Sequence, residues 1–230
     1  MTRTIDADGG THELVSDGSG SARPGIILFP TVMGITDLER DFAGRLGEQG
    51  YSVLLADLYG RRFTPDQRGE AMDAMAGLRA DRAALRDRLL GVLGAAIEQE
   101  EIDDERIAAI GFCFGGQNAL DLARSGTDIA GVASFHGLFD PPGLPPQPIK
   151  AKVSAYHGWD DPLVAPDAVV ALATELTEAG CDWQIHAFGH VGHGFTNPGA
   201  TGAMPGIKYD ERIARRAWAA CDAFLAECFA

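Results

Sequence analysis

Cys113 stands at the centre of Gly111-Phe112-Cys113-Phe114-Gly115-Gly116, directly after the apolar run Ile107-Ala108-Ala109-Ile110. A thiol attacks carbonyl carbon as the thiolate, so its surroundings decide whether it is chemistry or filling. The flanking glycines allow a sharp reversal that holds the middle residue in a strained conformation, its side chain clear of the sheet. The pattern matches the G-x-S-x-G nucleophile elbow with Cys in the Ser position. Helical spacing follows over Gly116 to Ala123, which puts Cys113 at a helix N-terminus. There the dipole and the free N–H groups favour a thiolate and can stabilise an oxyanion. The competing structural reading is a buried cysteine in a tight strand-to-helix turn, a frequent environment for free Cys.

A thiol nucleophile needs a histidine to take its proton and a carboxylate to orient that histidine. Downstream turns supply both, in the chain order nucleophile, acid, histidine. Gly158-Trp159-Asp160-Asp161-Pro162 follows one apolar run, and His190-Val191-Gly192-His193-Gly194-Phe195 follows another. Asp160 and Asp161 compete for the acid, since spacing barely separates them and either can simply form the turn. His193 lies between two glycines in a loop, with His190 as its rival. His136, His157 and His186 fall in or at the ends of strands and read as packed or capping residues. A metal held by His190 and His193 has no third ligand at a useful spacing, so no metal is expected.

The elements that would position these groups alternate. Strands are predicted at Gly25–Phe29, Tyr51–Ala56, Ile107–Phe112, Ile129–Phe135, Val153–His157 and Trp183–Phe188, with Thr11–Val15 as an edge strand. Thr36 and Glu39 have capping-box spacing, and Gly50 can close the helix over Thr36–Gln49. A broken helix is expected around Gln67–Met75, then a long amphipathic one marked by Leu78, Leu85, Leu89, Val92, Leu93 and Ile97. Glu98–Glu105 reads as an exposed helix end and turn. Pro141–Pro148 reads as a stiff connector, and a last helix is expected over Tyr209–Phe229. Such alternation implies an α/β fold with a mostly parallel central sheet and helices on both faces, formed by residues 1–230 as a single domain.

Composition narrows the function. With 33 acidic against 19 basic residues the net charge is −14, which repels nucleic acid and anionic membranes. The first residues lack the pattern of a signal peptide, and no apolar run approaches the ~20 residues of a membrane span. The expected location is therefore cytoplasmic. Cys113, Cys181, Cys221 and Cys228 form no disulfide framework and no C-x-x-C pair, so all four read as reduced.

From about Gly25 to Phe229 the chain resembles the dienelactone hydrolase family of the α/β-hydrolase superfamily. Five segments carry the resemblance: Pro30-Thr31-Val32-Met33-Gly34, Ala56-Asp57-Leu58-Tyr59-Gly60-Arg61, the Cys113 elbow, Gly158-Trp159-Asp160-Asp161-Pro162-Leu163-Val164, and Gly192-His193-Gly194-Phe195. The resemblance implies an α/β-hydrolase fold and a Cys113, Asp161, His193 triad, choosing Asp161 over Asp160. It also implies an oxyanion hole from the backbone N–H groups of Val32 and Phe114. The implied activity is hydrolysis of a small ester or lactone through a thioester, without a cofactor. Two departures bear on substrate. The position of Thr31 carries, in the best-known members, a glutamate that interacts with the thiol before substrate arrives. Those members also bind a substrate carboxylate with arginines, one just after G-H-x-F, where this chain has Thr196-Asn197-Pro198. Arg61 or Arg79 could substitute, while Thr31, Met33 and Trp159 could line a more apolar pocket. The rival expectation is a noncatalytic protein of the same fold with a redox-sensitive or ligand-binding thiol.

Overall fold

The computed structural model describes residues 1–230, and its strands form one eight-stranded sheet. In chain order these are β1 (Thr2–Ala7), β2 (Gly10–Val15), β3 (Arg23–Phe29), β4 (Ser52–Leu55), β5 (Ile102–Phe112), β6 (Gly131–Phe135), β7 (Lys152–Gly158) and β8 (Trp183–Phe188). Across the sheet they run β1-β2-β4-β3-β5-β6-β7-β8, with β3 to β8 mutually parallel and the β1–β2 and β2–β4 pairs antiparallel. The helices are α1 (Asp37–Glu48), α2 (Arg68–Ala80), α3 (Arg82–Ile97), α4 (Phe114–Arg124), α5 (Pro166–Glu178) and α6 (Glu211–Cys228).

Strand alternation sorts the core into two layers. Ile27, Phe29, Leu54, Ile107, Ala109, Val132, Val153 and Ala155 pack with α2, α3, α4 and α5 on one face. Their neighbours Ile26, Leu28, Val53, Leu55, Ala108, Ile110, Ala133 and Tyr156 pack with α1 and α6 on the other. Each fully buried aliphatic or aromatic side chain contributes about 1.5–3 kcal/mol, so continuous apolar runs are what a doubly covered parallel sheet requires. No helix is long and apolar enough to cross a membrane.

The structure corrects several boundaries. Thr11–Val15 is not at the sheet's edge, because Thr2–Ala7 pairs outside it. The turn between them is Asp8-Gly9, both at positive φ (50° and 76°), a two-residue hairpin signal that the largely polar β1 obscured. Leu78 closes α2 instead of opening the long helix. Asp81 breaks the run and caps α3, its carboxylate accepting from the Ala84 N–H at 2.9 Å. The second half of the acidic stretch, from Ile102, is already β5, opposite Arg23 and Pro24.

The N-terminus of α1 fixes the loop after β3. Glu39 is fully buried, and its Oε2 accepts from the Thr36 N–H and hydroxyl, closing the expected capping box. Its Oε1 accepts from the Thr31 N–H at 3.2 Å and the Thr31 hydroxyl at 3.0 Å. One carboxylate thus ties the start of α1 to the Pro30–Gly34 loop. Glu39→Ala strands buried donors, each costing about 1–3 kcal/mol when left unpaired. The expected result is a loss of about 2 kcal/mol or more in urea unfolding at unchanged m-value.

Candidate active site

β5 runs into α4 through one residue, Cys113, whose backbone sits at φ 57° and ψ −116°. A non-glycine held there stores about 1–3 kcal/mol of strain, so the surroundings must over-determine it. They do. The Cys113 N–H donates to the Phe135 carbonyl at 3.0 Å, fastening the elbow to β6. A Cβ on Gly111 would lie 1.9 Å from the Gly115 carbonyl oxygen, and one on Gly115 would lie 2.0 Å from that of Phe29. Only glycine lets α4 start this close to β5 and β3. Cys113 as a residue is half-buried at the start of the helix.

Asp161 and His193 arrive from the carboxyl ends of β7 and β8. The Asp161 N–H donates to the Gly158 carbonyl, and its Oδ1 accepts from the Leu163 N–H at 2.8 Å, which locks the turn. The His193 N–H donates to the Gly206 carbonyl at 2.8 Å, and a Cβ on Gly192 would meet that same oxygen at 2.0 Å. So placed, His193 Nδ1 lies 2.7 Å from Asp161 Oδ2, both side chains buried. The rivals separate cleanly: His190 is fully exposed and sits 3.8 Å from the exposed Asp160. His186 stacks on Tyr156, and His157 is buried beside Phe139.

Burial pushes the Cys113 thiol up, but the His193 charge and contact, with the Phe114 N–H, outweigh it and hold the thiol below its ordinary value. The converse holds at His193. Burial pushes the imidazole down, while the facing Cys113 charge and the bond to Asp161 bring it well above its ordinary value. Both shifts favour a thiolate beside an imidazolium. His193 Nε2 is buried and makes no hydrogen bond of ordinary geometry, so its coupling to the thiol is mainly that of charge.

The loop after β3 borders the elbow. Val32 is buried, its carbonyl accepts from the Tyr59 hydroxyl at 3.1 Å, and its N–H is engaged in no protein hydrogen bond. Tyr59 also stacks on Phe114. Asp57 anchors that tyrosine by accepting from the Tyr59 and Gly60 N–H groups and from Arg62. The Asp57-Leu58-Tyr59 motif therefore supports the Val32 loop.

The expected substrate contacts divide. Thr31 turns its hydroxyl to Glu39, Met33 is half-buried against the core, and Trp159 is exposed. Arg61 is exposed, pairs with Glu70 and lies 4.6 Å over the Phe63 ring, and Arg79 pairs with Asp140. Neither guanidinium is free to receive a substrate carboxylate. Arg68, one of the arginines that read as solvated helix-face residues, has no carboxylate partner and approaches Met204 Sδ at 3.9 Å, on the segment after His193. His136, read as a packed or capping residue, is indeed packed, and one of the rings it meets is that of His193, at 4.9 Å between centroids. A cavity of ≈ 1060 Å³ lies under the Pro141–Pro148 connector, against α3, α4 and α5. Cys113, Asp161 and His193 do not line it, and its charged Asp121, Arg124 and Glu175 satisfy one another.

Comparison with known proteins identifies the family. The profile of the dienelactone hydrolase family matches residues 14–229. A solved structure called m3DLH is 36% identical, with TM-score 0.91 over 100% of this chain and 99% of that one. A dienelactone hydrolase-like promiscuous phosphotriesterase from metagenomic libraries is 33% identical, with TM-score 0.89 over 100% and 99%. A Salmonella typhimurium protein named "Putative carboxymethylenebutenolidase" is 24% identical over 212 residues, 87% of this chain and 76% of its own length. The sheet order and the helices on both faces are those of an α/β hydrolase. The chain belongs to the dienelactone hydrolase family.

Proposed function

We propose that this hydrolase cleaves small carboxylic esters or lactones with Cys113 as nucleophile, His193 as general acid and base, and Asp161 as the orienting carboxylate. The observation that carries the reading is the 2.7 Å His193–Asp161 bond, with Nε2 left uncommitted on the side of a thiol held below its ordinary value. The Cys113 thiolate attacks the carbonyl carbon, and the tetrahedral oxyanion takes hydrogen bonds from the Val32 and Phe114 N–H groups. Collapse breaks the C–O bond and leaves a thioester, while His193 gives its Nε2 proton to the departing alkoxide. In a lactone that alkoxide stays tethered to the acyl group. Neutral His193 then takes a proton from water, whose oxygen attacks the thioester. The acid leaves, and Cys113 returns as thiolate beside imidazolium.

Thr31 and the arginines shape the substrate class. The Thr31 hydroxyl is committed to Glu39, so thiol ionisation depends on His193, with the Phe114 N–H assisting. Arg61 and Arg79 are engaged with Glu70 and Asp140, so the structure offers no dedicated partner for a substrate carboxylate among the arginines expected to supply one. Neutral esters and lactones are the expected substrates, with neutral phosphotriesters as a side activity of the same thiolate, as in the name of the relative at 33% identity. A resting thiolate calls for a reducing compartment, which makes the cytoplasm its expected location.

Cys113→Ala is expected to lower kcat/KM for p-nitrophenyl acetate by ~10³-fold or more. Wild-type turnover in that variant would leave the thiol a noncatalytic, redox-sensitive group. Because the thiol is held low in the folded protein, alkylation by iodoacetamide should stay fast well below pH ~8.5 and fall only as pH drops through the lowered value. In His193→Asn the midpoint should move back up towards ~8.5. An unchanged midpoint would show that His193 does not activate the thiol.

A further inference from the structure

His136 ends β6 with a backbone that few non-glycine residues adopt, φ 37°. Its N–H donates to the Tyr156 carbonyl at 2.8 Å, and the carbonyl of the same Phe135–His136 peptide holds the Cys113 N–H. Its side chain is buried against the other half of the site. The His136 ring meets that of His193 edge-on, at 4.9 Å between centroids and 64° between planes. Its Nε2 is 2.8 Å from the Thr196 hydroxyl, on the loop that carries His193, and Phe112 and Phe195 wall the remainder. The peptide that leads into His136 thus holds the Cys113 backbone through the Phe135 carbonyl, while the His136 ring meets the His193 imidazole.

We infer that His136 is a positioning residue, whose ring contact and bond to Thr196 hold the His193 imidazole in the orientation that faces Cys113. The inference rests on the reading of His193 as the base. Strained backbone persists where surroundings enforce it and where its loss would disturb a site, and here it aims the ring at His193. The titratable side chains around His136 are His193 and His157, both histidines, so a second positive charge would be repelled. Burial and the His193 charge accordingly keep His136 neutral. A neutral ring can brace an imidazolium without competing with it for Asp161.

The test compares His136→Phe, Thr196→Val and Thr196→Ser with wild type, by steady-state hydrolysis of p-nitrophenyl acetate, thermal midpoint and the pH profile of Cys113 alkylation. Phe keeps an aromatic edge but loses the bond to Thr196, and Val removes only the hydroxyl. Both should lower kcat about tenfold or more with KM within about twofold, and both should move the alkylation midpoint up towards ~8.5. Thr196→Ser keeps the hydroxyl and should restore kcat and midpoint. Folded His136→Phe and Thr196→Val with wild-type kcat and midpoint would overturn the inference, as would variants that lose only thermal stability. Should His136→Phe fail to fold, Thr196→Val against Thr196→Ser decides alone. The hydrolase reading fails separately, through full turnover in Cys113→Ala.

Discussion

A thiol removed from water prefers its proton, and at Cys113 burial works against ionisation more strongly than any other single influence. What reverses it is the positive imidazole of His193, which would itself lose its proton on burial but for the thiolate and Asp161. Neither charge is stable there without the other. This mutual dependence makes the loops after β5, β7 and β8 answerable to each other, since a displaced imidazole would return both groups to their neutral forms. The close approaches at Gly115 and Gly192 are how the backbone meets that demand.

The sheet supplies the location. The chain leaves β3 for β4 on one side and then crosses to β5 on the other, so the crevice at the carboxyl ends of β3 and β5 is where the strand order reverses. The Val32 loop and the Cys113 elbow face each other across it, close enough that a Cβ on Gly115 would strike the Phe29 carbonyl. Positive φ at Cys113 and at His136 marks the ends of two adjacent strands, joined by the Cys113–Phe135 hydrogen bond. Strain gathers where the parallel strands deliver side chains to one point.

Legibility followed sequence distance. The elbow could be read because its glycines and its cysteine are neighbours, and the parallel strands because doubly covered strands are apolar throughout. The order of candidate nucleophile, acid and histidine was visible, yet Asp160 and Asp161 were alike to spacing and parted only through resemblance. The structure sets them apart by burial, one under the loops and one beside exposed His190. His136 was hidden because its partner is 57 residues away in sequence, and a histidine at a strand end looks like packing. Strand β1 was hidden for the opposite reason: an edge strand with one face in water needs few apolar residues.

Thr31 shows how a single departure is absorbed. A glutamate at that position would place a carboxylate where it could interact with the thiol. Here the buried carboxylate belongs to Glu39, is saturated by donors from Thr31 and Thr36, and serves the start of α1. No carboxylate from that loop competes with His193 for Cys113, whose thiol is held below its ordinary value. Readiness has a chemical consequence. A thiolate that a peroxide reaches is oxidised first reversibly to the sulfenic acid and then further. The same charge pair that holds the Cys113 thiol below its ordinary value is thus what would expose the sulfur to oxidation.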